Sequence, residues 1–301
     1  MLQFLPAPVV GAISMCLYVI NTIFWCIPLF FVAFLKFIIP ATGWRKFCDI
    51  ILVAISTSWI FCNNLNQNLT QKTKWEVTGV EKLKMNEWYL VLSNHQSWVD
   101  IVVLQRVFHR KIPFLKFFLK KELIWVPLLG LAWWALDFPF MQRYSKTFLE
   151  KNPHLKGKDL EITKQACEKF KSTPISVMNF VEGTRFTTEK HQKQGSPYSN
   201  LLRPKAGGVA FVLGAMDDVI KHIVNVTIVY PQGVKTFWEF ACGHVEKIKV
   251  NVEVIPITDE IKGNYESDTD FRNKFQAWVN SYWERKDNQI DMILGKNTVQ
   301  A

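Results

Sequence analysis

A histidine and a carboxylate stand five residues apart in Ser93-Asn94-His95-Gln96-Ser97-Trp98-Val99-Asp100. The run before them, Trp88-Tyr89-Leu90-Val91-Leu92, is short, apolar, aromatic and β-branched, so it reads as a buried strand. After them Ile101, Leu104 and Phe108 recur at spacings of three and four, the period of one helix face. The expected helix starts at Ser97, a good N-cap, with Asp100 as its third residue, where a carboxylate suits the positive helix end. His95 then occupies a strand-to-helix turn, and Asp100 can fold back toward it. An imidazole held by a carboxylate is a base with its orienter, the pair that takes a proton from a nucleophile. The same pair also fits a turn histidine that is merely satisfied. It fits two metal ligands as well, but the sequence offers no third ligand at a metal-site spacing and no His-Glu-x-x-His.

A second stretch sharpens the reading. Ile175 to Val181 is a mostly apolar strand that ends in Glu182-Gly183-Thr184-Arg185. That turn offers a hydroxyl, backbone amides and a guanidinium fork, which suits a phosphate. Ligands of open α/β sheets sit beyond the carboxyl ends of strands. There is no Gly-x-Ser-x-Gly elbow and no P-loop. A base and an anion clamp without a covalent nucleophile suit a transfer in which the substrate's own hydroxyl attacks.

The elements that must carry these groups follow from pattern. Strands are expected at residues 75–80, 88–92, 111–117, 175–181, 224–229 and 247–255. Helices are expected from Ser97 to about Phe108, over 158–171 with Ile162, Ala166 and Phe170 on one face, from about Arg203 through Ala215, and from near Asp268 with Phe271, Phe275, Trp278 and Tyr282 on one face. Strands alternating with helices, joined by connections long enough for crossovers, make an α/β domain. Residues 124–140 are almost wholly apolar but broken by Pro127, Gly130 and Pro139. They read either as a buried core helix or as an apolar wall facing a bilayer or an acyl chain.

Residues 1–35 carry no charged side chain. That length of apolar chain meets the criterion for a membrane helix and lacks the basic start of a cleaved signal peptide, so a retained anchor is expected. Pro28 should break or kink it. Lys36, Arg45 and Lys46 follow, and positive residues mark the cytoplasmic side. Residues 50–62 read as a short interfacial or buried helix, and the polar stretch 63–74 as a boundary. The expected division is a membrane anchor at 1–70 and a catalytic domain at 71–301. The chain of 301 residues carries a formal net charge of +10, with 11 Lys plus Arg against 4 Asp plus Glu between Ile101 and Leu160. Beside an apolar anchor, such a surface suggests anionic lipid headgroups. No zinc finger, RRM signature or basic helix repeat supports nucleic acid as a partner. The six cysteines form no Cys-x-x-Cys pair and read as small apolar residues in a reducing compartment.

Asn94-His95-x4-Asp100 followed about 85 residues on by Glu182-Gly183-Thr184-Arg185 resembles the glycerolipid acyltransferase family, in which 1-acylglycerol-3-phosphate acyltransferase is the standard member. The resemblance covers residues from about 75 to 255. The Lys-Glu-Leu, Pro127 and Gly130 pattern and Pro204-Lys205-Ala206-Gly207-Gly208 sharpen it, and the likeness extends to membrane acyltransferases of the bacterial inner membrane. It implies a central mixed sheet flanked by helices. It implies that His95 deprotonates the hydroxyl of a lysophospholipid, which attacks the thioester of acyl-CoA or acyl-carrier protein, while Asp100 orients and stabilises His95. Arg143, Glu182, Gly183, Thr184, Arg185 and Lys205 would bind the acceptor and its phosphate. No metal and no cofactor beyond the donor would be needed, and the site would face the cytoplasmic side of the inner membrane. Two departures stand near the acceptor: Val181 replaces the proline before the glutamate, and Thr227 stands where the family often has proline. Lysophosphatidylglycerol or lysocardiolipin is the alternative acceptor, and a lipid-binding protein without turnover the alternative class.

Overall fold

The computed structural model describes residues 2, 4–141, 158–265 and 267–296. Two long helices come first, α1 (Ala7–Ile38) and α2 (Thr42–Thr70). The chain then alternates through β1 (Lys74–Thr78), β2 (Trp88–Ser93), α3 (Val99–Phe108), β3 (Leu115–Phe117), β4 (Leu119–Lys120), α4 (Leu129–Ala135), β5 (Phe140–Met141) and α5 (Lys158–Phe170). It continues with β6 (Ser176–Phe180), α6 (Thr188–Gln194), α7 (Ala206–Ala215), β7 (Ile220–Val229), α8 (Phe237–Ala241), β8 (Lys247–Pro256) and α9 (Thr269–Leu294).

Six strands form one mixed sheet in the order β1-β8-β7-β2-β6-β3. The four strands β7, β2, β6 and β3 are mutually parallel, so their carboxyl ends share one edge. The strand β8 runs antiparallel to β7 and parallel to β1. Both faces are covered, and the period of two along β2 sorts its residues between them. Tyr89 and Val91 join a core with α1, α2, α3, α4 and α8. Leu90 and Leu92 join the opposite core with α5, α7 and α9. This is the three-layer α/β arrangement that the alternation of strands and helices implies.

The first two helices depart from expectation in two ways. Pro28 does not break α1, which runs on to Ile38. The proline removes one N–H from the helix ladder, but Cys26 and Leu29 on either side of it are buried in the core shared with the sheet, and that packing holds the helix together. The stretch 63–70 is not a boundary but the last turns of α2. Asn63, Asn66, Gln67 and Thr70 recur at helical spacing and are buried. Asn21 Nδ2 donates to Asn63 Oδ1 at 2.8 Å, and Asn66 Nδ2 donates to the Ser14 carbonyl at 3.0 Å. The polar residues are thus the seam between two helices, joined across it by the Asn21–Asn63 and Asn66–Ser14 hydrogen bonds. Near its start α1 meets α8 at Gly11, where a Cβ would collide with Cys242 Sγ and press on the Trp238 ring. The outer face of α1 keeps Phe24, Ile27, Phe31, Phe34 and Phe37 exposed. Both α1 and α2 are long and apolar enough to cross a membrane.

Residues 124–140 do not form one core helix. A short 3-10 turn (Lys121–Trp125) leads to α4, whose Ala132 and Ala135 pack inward. Trp125, Leu131 and Trp134 face outward, Trp125 at 85% exposure, so the segment is an apolar wall. An ionic cluster ties it to α1 and α2: Lys36 Nζ lies 2.6 Å from Asp137 and 2.7 Å from Asp49.

Candidate active site

Three neighbouring parallel strands each deliver a side chain to the same edge of the sheet. His95 lies two residues beyond β2, Glu182 two beyond β6, and Tyr230 directly after β7. Asn94 fixes the first turn. It is buried, and its amide donates to the Ile228 carbonyl and accepts from the Ile228 N–H, both at 2.9 Å. The side chain therefore extends the β2–β7 pairing by one rung after the backbone has turned away.

The helix after the histidine starts later than its sequence suggests. The N-cap of α3 is Trp98, and Ser97 Oγ instead donates to the Lys235 carbonyl at 2.8 Å and accepts from the Val99 N–H at 3.2 Å. Asp100, in the first turn of α3, reaches back. Its Oδ2 accepts from the Gln96 N–H at 2.6 Å and the Ser97 N–H at 2.8 Å, and lies 2.9 Å from His95 Nδ1. An ionised carboxylate only accepts, so the contact suits the tautomer with its hydrogen on Nδ1, the one that leaves Nε2 to accept a proton. The imidazole lies flat on Phe180, with centroids 3.8 Å apart and planes 13° from parallel. The carboxylate and the phenyl ring together fix the ring's direction and tilt.

Glu182 is fully buried and does not line a surface for ligand. One oxygen accepts the His95 N–H at 3.0 Å, the other the Leu202 N–H at 3.1 Å. It ties the histidine turn to the segment entering α7. Burial pushes its carboxyl up to about 8, against the pull of those two N–H bonds and of Lys286, and Asp100 pushes the same way as burial. Lys286, on α9, is also buried and donates to the Val226 carbonyl of β7. Burial pulls its ammonium down to about 7, with Glu182 and Glu253 opposing.

Gly183 turns the chain with φ of +69°, a left-handed conformation that costs an L-residue about 1–2 kcal/mol. The side chain of Lys205 covers it, and a Cβ there would stand 3.3 Å from Lys205 Nζ. Thr184 and Arg185 are held from behind by Lys190, whose Nζ donates to Thr184 Oγ1 at 2.8 Å and to the Arg185 carbonyl at 3.0 Å. The Arg185 guanidinium lies 4.8 Å above the exposed ring of Trp98. The structure thus brings His95, Asp100, Glu182, Gly183, Thr184, Arg185 and Lys205 to one strand edge. Arg143 lies outside the described residues. Among the described residues no group of three His, Cys, Asp or Glu could hold a metal. Tyr230, Lys190 and Lys286 were not found from sequence. Only Tyr230 left a signal, a hydroxyl residue closing the β-branched strand pattern of 224–229.

Comparison with known proteins bears on the family and the fold. The family model described as Acyltransferase matches residues 74–234, more than half of the chain. A curated relative, 1-acyl-sn-glycerol-3-phosphate acyltransferase 3 of Arabidopsis thaliana, is 28% identical over 184 residues, covering 56% of this chain. The match spans 44% of that plant protein's length. Among solved structures, the 1-acyl-sn-glycerophosphate (LPA) acyltransferase PlsC of Thermotoga maritima matches 92% of this chain and 94% of its own. Its TM-score is 0.50 at 18% identity, a likeness of fold.

Proposed function

The chain belongs to the acyltransferase family, and from that premise we propose that it moves a fatty acyl group from acyl-CoA or acyl-carrier protein to the free hydroxyl of a lysophospholipid at a membrane. The acceptor we propose is 1-acylglycerol-3-phosphate, giving phosphatidic acid. The observation that carries the reading is the His95 Nδ1 to Asp100 contact at 2.9 Å, set one hydrogen bond away from the Glu-Gly-Thr-Arg turn through Glu182.

His95 Nε2 takes the proton of the acceptor hydroxyl as its oxygen attacks the thioester carbonyl. The tetrahedral intermediate collapses, the carbon–sulfur bond breaks, and the imidazolium returns the proton to the departing thiolate. Asp100 holds the imidazole in the competent tautomer and balances its transient charge. Arg185, stacked on Trp98, presents its fork to the acceptor phosphate, with Thr184, Lys205 and the Gly183 backbone beside it. Glu182 acts by holding the His95 backbone. The reaction needs no cofactor beyond its donor. Residues 1–70 form the membrane anchor and 71–301 carry the chemistry, with Lys36, Arg45 and Lys46 on the cytoplasmic side. The exposed phenylalanines of α1 and the wall of Trp125, Leu131 and Trp134 are the surfaces that meet lipid.

The test supplies the detergent-solubilised protein with labelled acyl-CoA and a panel of lysophosphatidic acid, lysophosphatidylglycerol and lysocardiolipin, and identifies the product. General base catalysis is worth about 10²–10⁴-fold, so His95→Ala should lower transfer by that order while the protein still folds. A folded His95→Ala protein with undiminished transfer would end this reading.

A further inference from the structure

The two oxygens of Asp100 carry unequal loads. Oδ2 serves His95 and the two backbone N–H groups of the turn, whereas Oδ1 takes the hydroxyl of Tyr230 at 2.6 Å. The reaction above uses Oδ2 and gives Tyr230 no part. Yet three donors on one oxygen leave the plane of the carboxylate open, because its terminal torsion is broad and roughly two-fold. The bond to Oδ1 closes that freedom.

Tyr230 is well placed to do so. It is 4% exposed and packs in the core that holds Val226 and Ile228 of β7. The end of β7 is itself latched to the histidine turn through Asn94 and Ile228. The phenol and the carboxylate are therefore fixed to the same rigid strand edge. Burial, with the charge of Asp100, pushes the Tyr230 hydroxyl well above its ordinary range, so it remains a donor at physiological pH.

We infer that Tyr230 is a positioning residue of the proton-transfer pair: its hydroxyl sets the plane of the Asp100 carboxylate and, through it, the aim of His95. The inference rests on the acyl-transfer reading. Tyr230 acts behind Asp100 and touches no substrate, so it contributes to turnover and not to binding of acceptor or donor.

Tyr230→Phe removes one oxygen and keeps the ring. Hydrogen bonds to charged groups are worth about 1.5–3 kcal/mol, so kcat should fall about 10- to 100-fold, with the KM of both substrates unchanged. The same change made in Asp100→Asn should lower kcat no further, the non-additivity of residues acting as a unit. Full kcat per folded molecule in Tyr230→Phe overturns the assignment, as does a loss that adds to that of Asp100→Asn. Folding is checked by thermal melting in detergent. Should Tyr230→Phe fail to fold, 4-fluorophenylalanine at position 230 fills the space of the hydroxyl but offers Asp100 Oδ1 no donor. Lowered kcat at constant KM is then expected, and unchanged kcat overturns the inference. His95→Ala separates the two levels. If it stays active, the functional reading falls. If it is inactive while Tyr230→Phe is unaffected, only the role of Tyr230 falls.

Discussion

Glu182→Gln tests the buried carboxyl beneath the site through stability. A free glutamate releases its proton near pH 4.5, whereas burial holds the proton on Glu182 to about pH 8. Between those values the folded protein binds a proton that the unfolded chain has lost, so the contribution of Glu182 is whole below pH 4.5 and drains away as pH rises toward 8. Each pH unit of that window is worth about 1.4 kcal/mol, so the loss by pH 7 is roughly 3 kcal/mol. Lys286 begins to titrate in the folded protein only near pH 7, so the interval from 4.5 to 7 isolates Glu182. Glutamine has no proton to lose. It does offer one carbonyl oxygen to two donors, the His95 and Leu202 N–H groups, and leaving one buried N–H unpaired costs about 1–3 kcal/mol. The variant should therefore melt below wild type at pH 5, and the gap should close or reverse by pH 7. At about 2–4 °C per kcal/mol for a chain of this class, the difference in Tm should move by roughly 6–12 °C across the window. The assay is thermal melting of both proteins in one detergent at half-unit pH steps. Parallel curves from pH 5 to 7 would refute the reasoning.

Two further outcomes concern the turn that follows. Arg185→Lys keeps the charge but loses the planar fork and its stacking on Trp98, so the acceptor KM should rise with the donor KM unchanged; equal effects on both would argue against a phosphate contact. Gly183→Ala forces a methyl into a left-handed turn under Lys205 and should cost about 1–2 kcal/mol by thermal melting, with weaker acceptor use; a neutral effect on both would show that the turn can relax.

The candidate site was legible in the sequence because its polar residues interrupt apolar runs. His95 and Glu182 each stand just beyond a strand whose period is plain. What the sequence hid were residues whose partners are distant. The hydroxyl of Tyr230 answers to a carboxylate 130 positions earlier, and Lys286 looks like any charged position of an amphipathic helix until α9 packs it against β7. The end of α2 misled for a related reason. Asn63, Asn66, Gln67 and Thr70 are polar, so they read as a linker, although their spacing is that of a helix seam. At Asn63 and Asn66 polarity marks a partner on α1 rather than exposure. Ser97 is a good cap by type, but its hydroxyl is engaged by the loop after β7, and the start of α3 moves accordingly.

The contact at Gly11 has a consequence for how the protein is made. The surface that receives the start of α1 is built by Trp238 and Cys242, about 230 residues downstream, and translation at roughly 5–20 residues per second separates the two by some 10–50 s. During that interval α1 and α2 can zip along their polar seam, but their place against the sheet does not yet exist. Of the two surfaces that meet at Gly11, the one made earlier waits for the one made later. A side chain larger than hydrogen at position 11 should therefore act late, leaving the helical pair intact while slowing the final docking step.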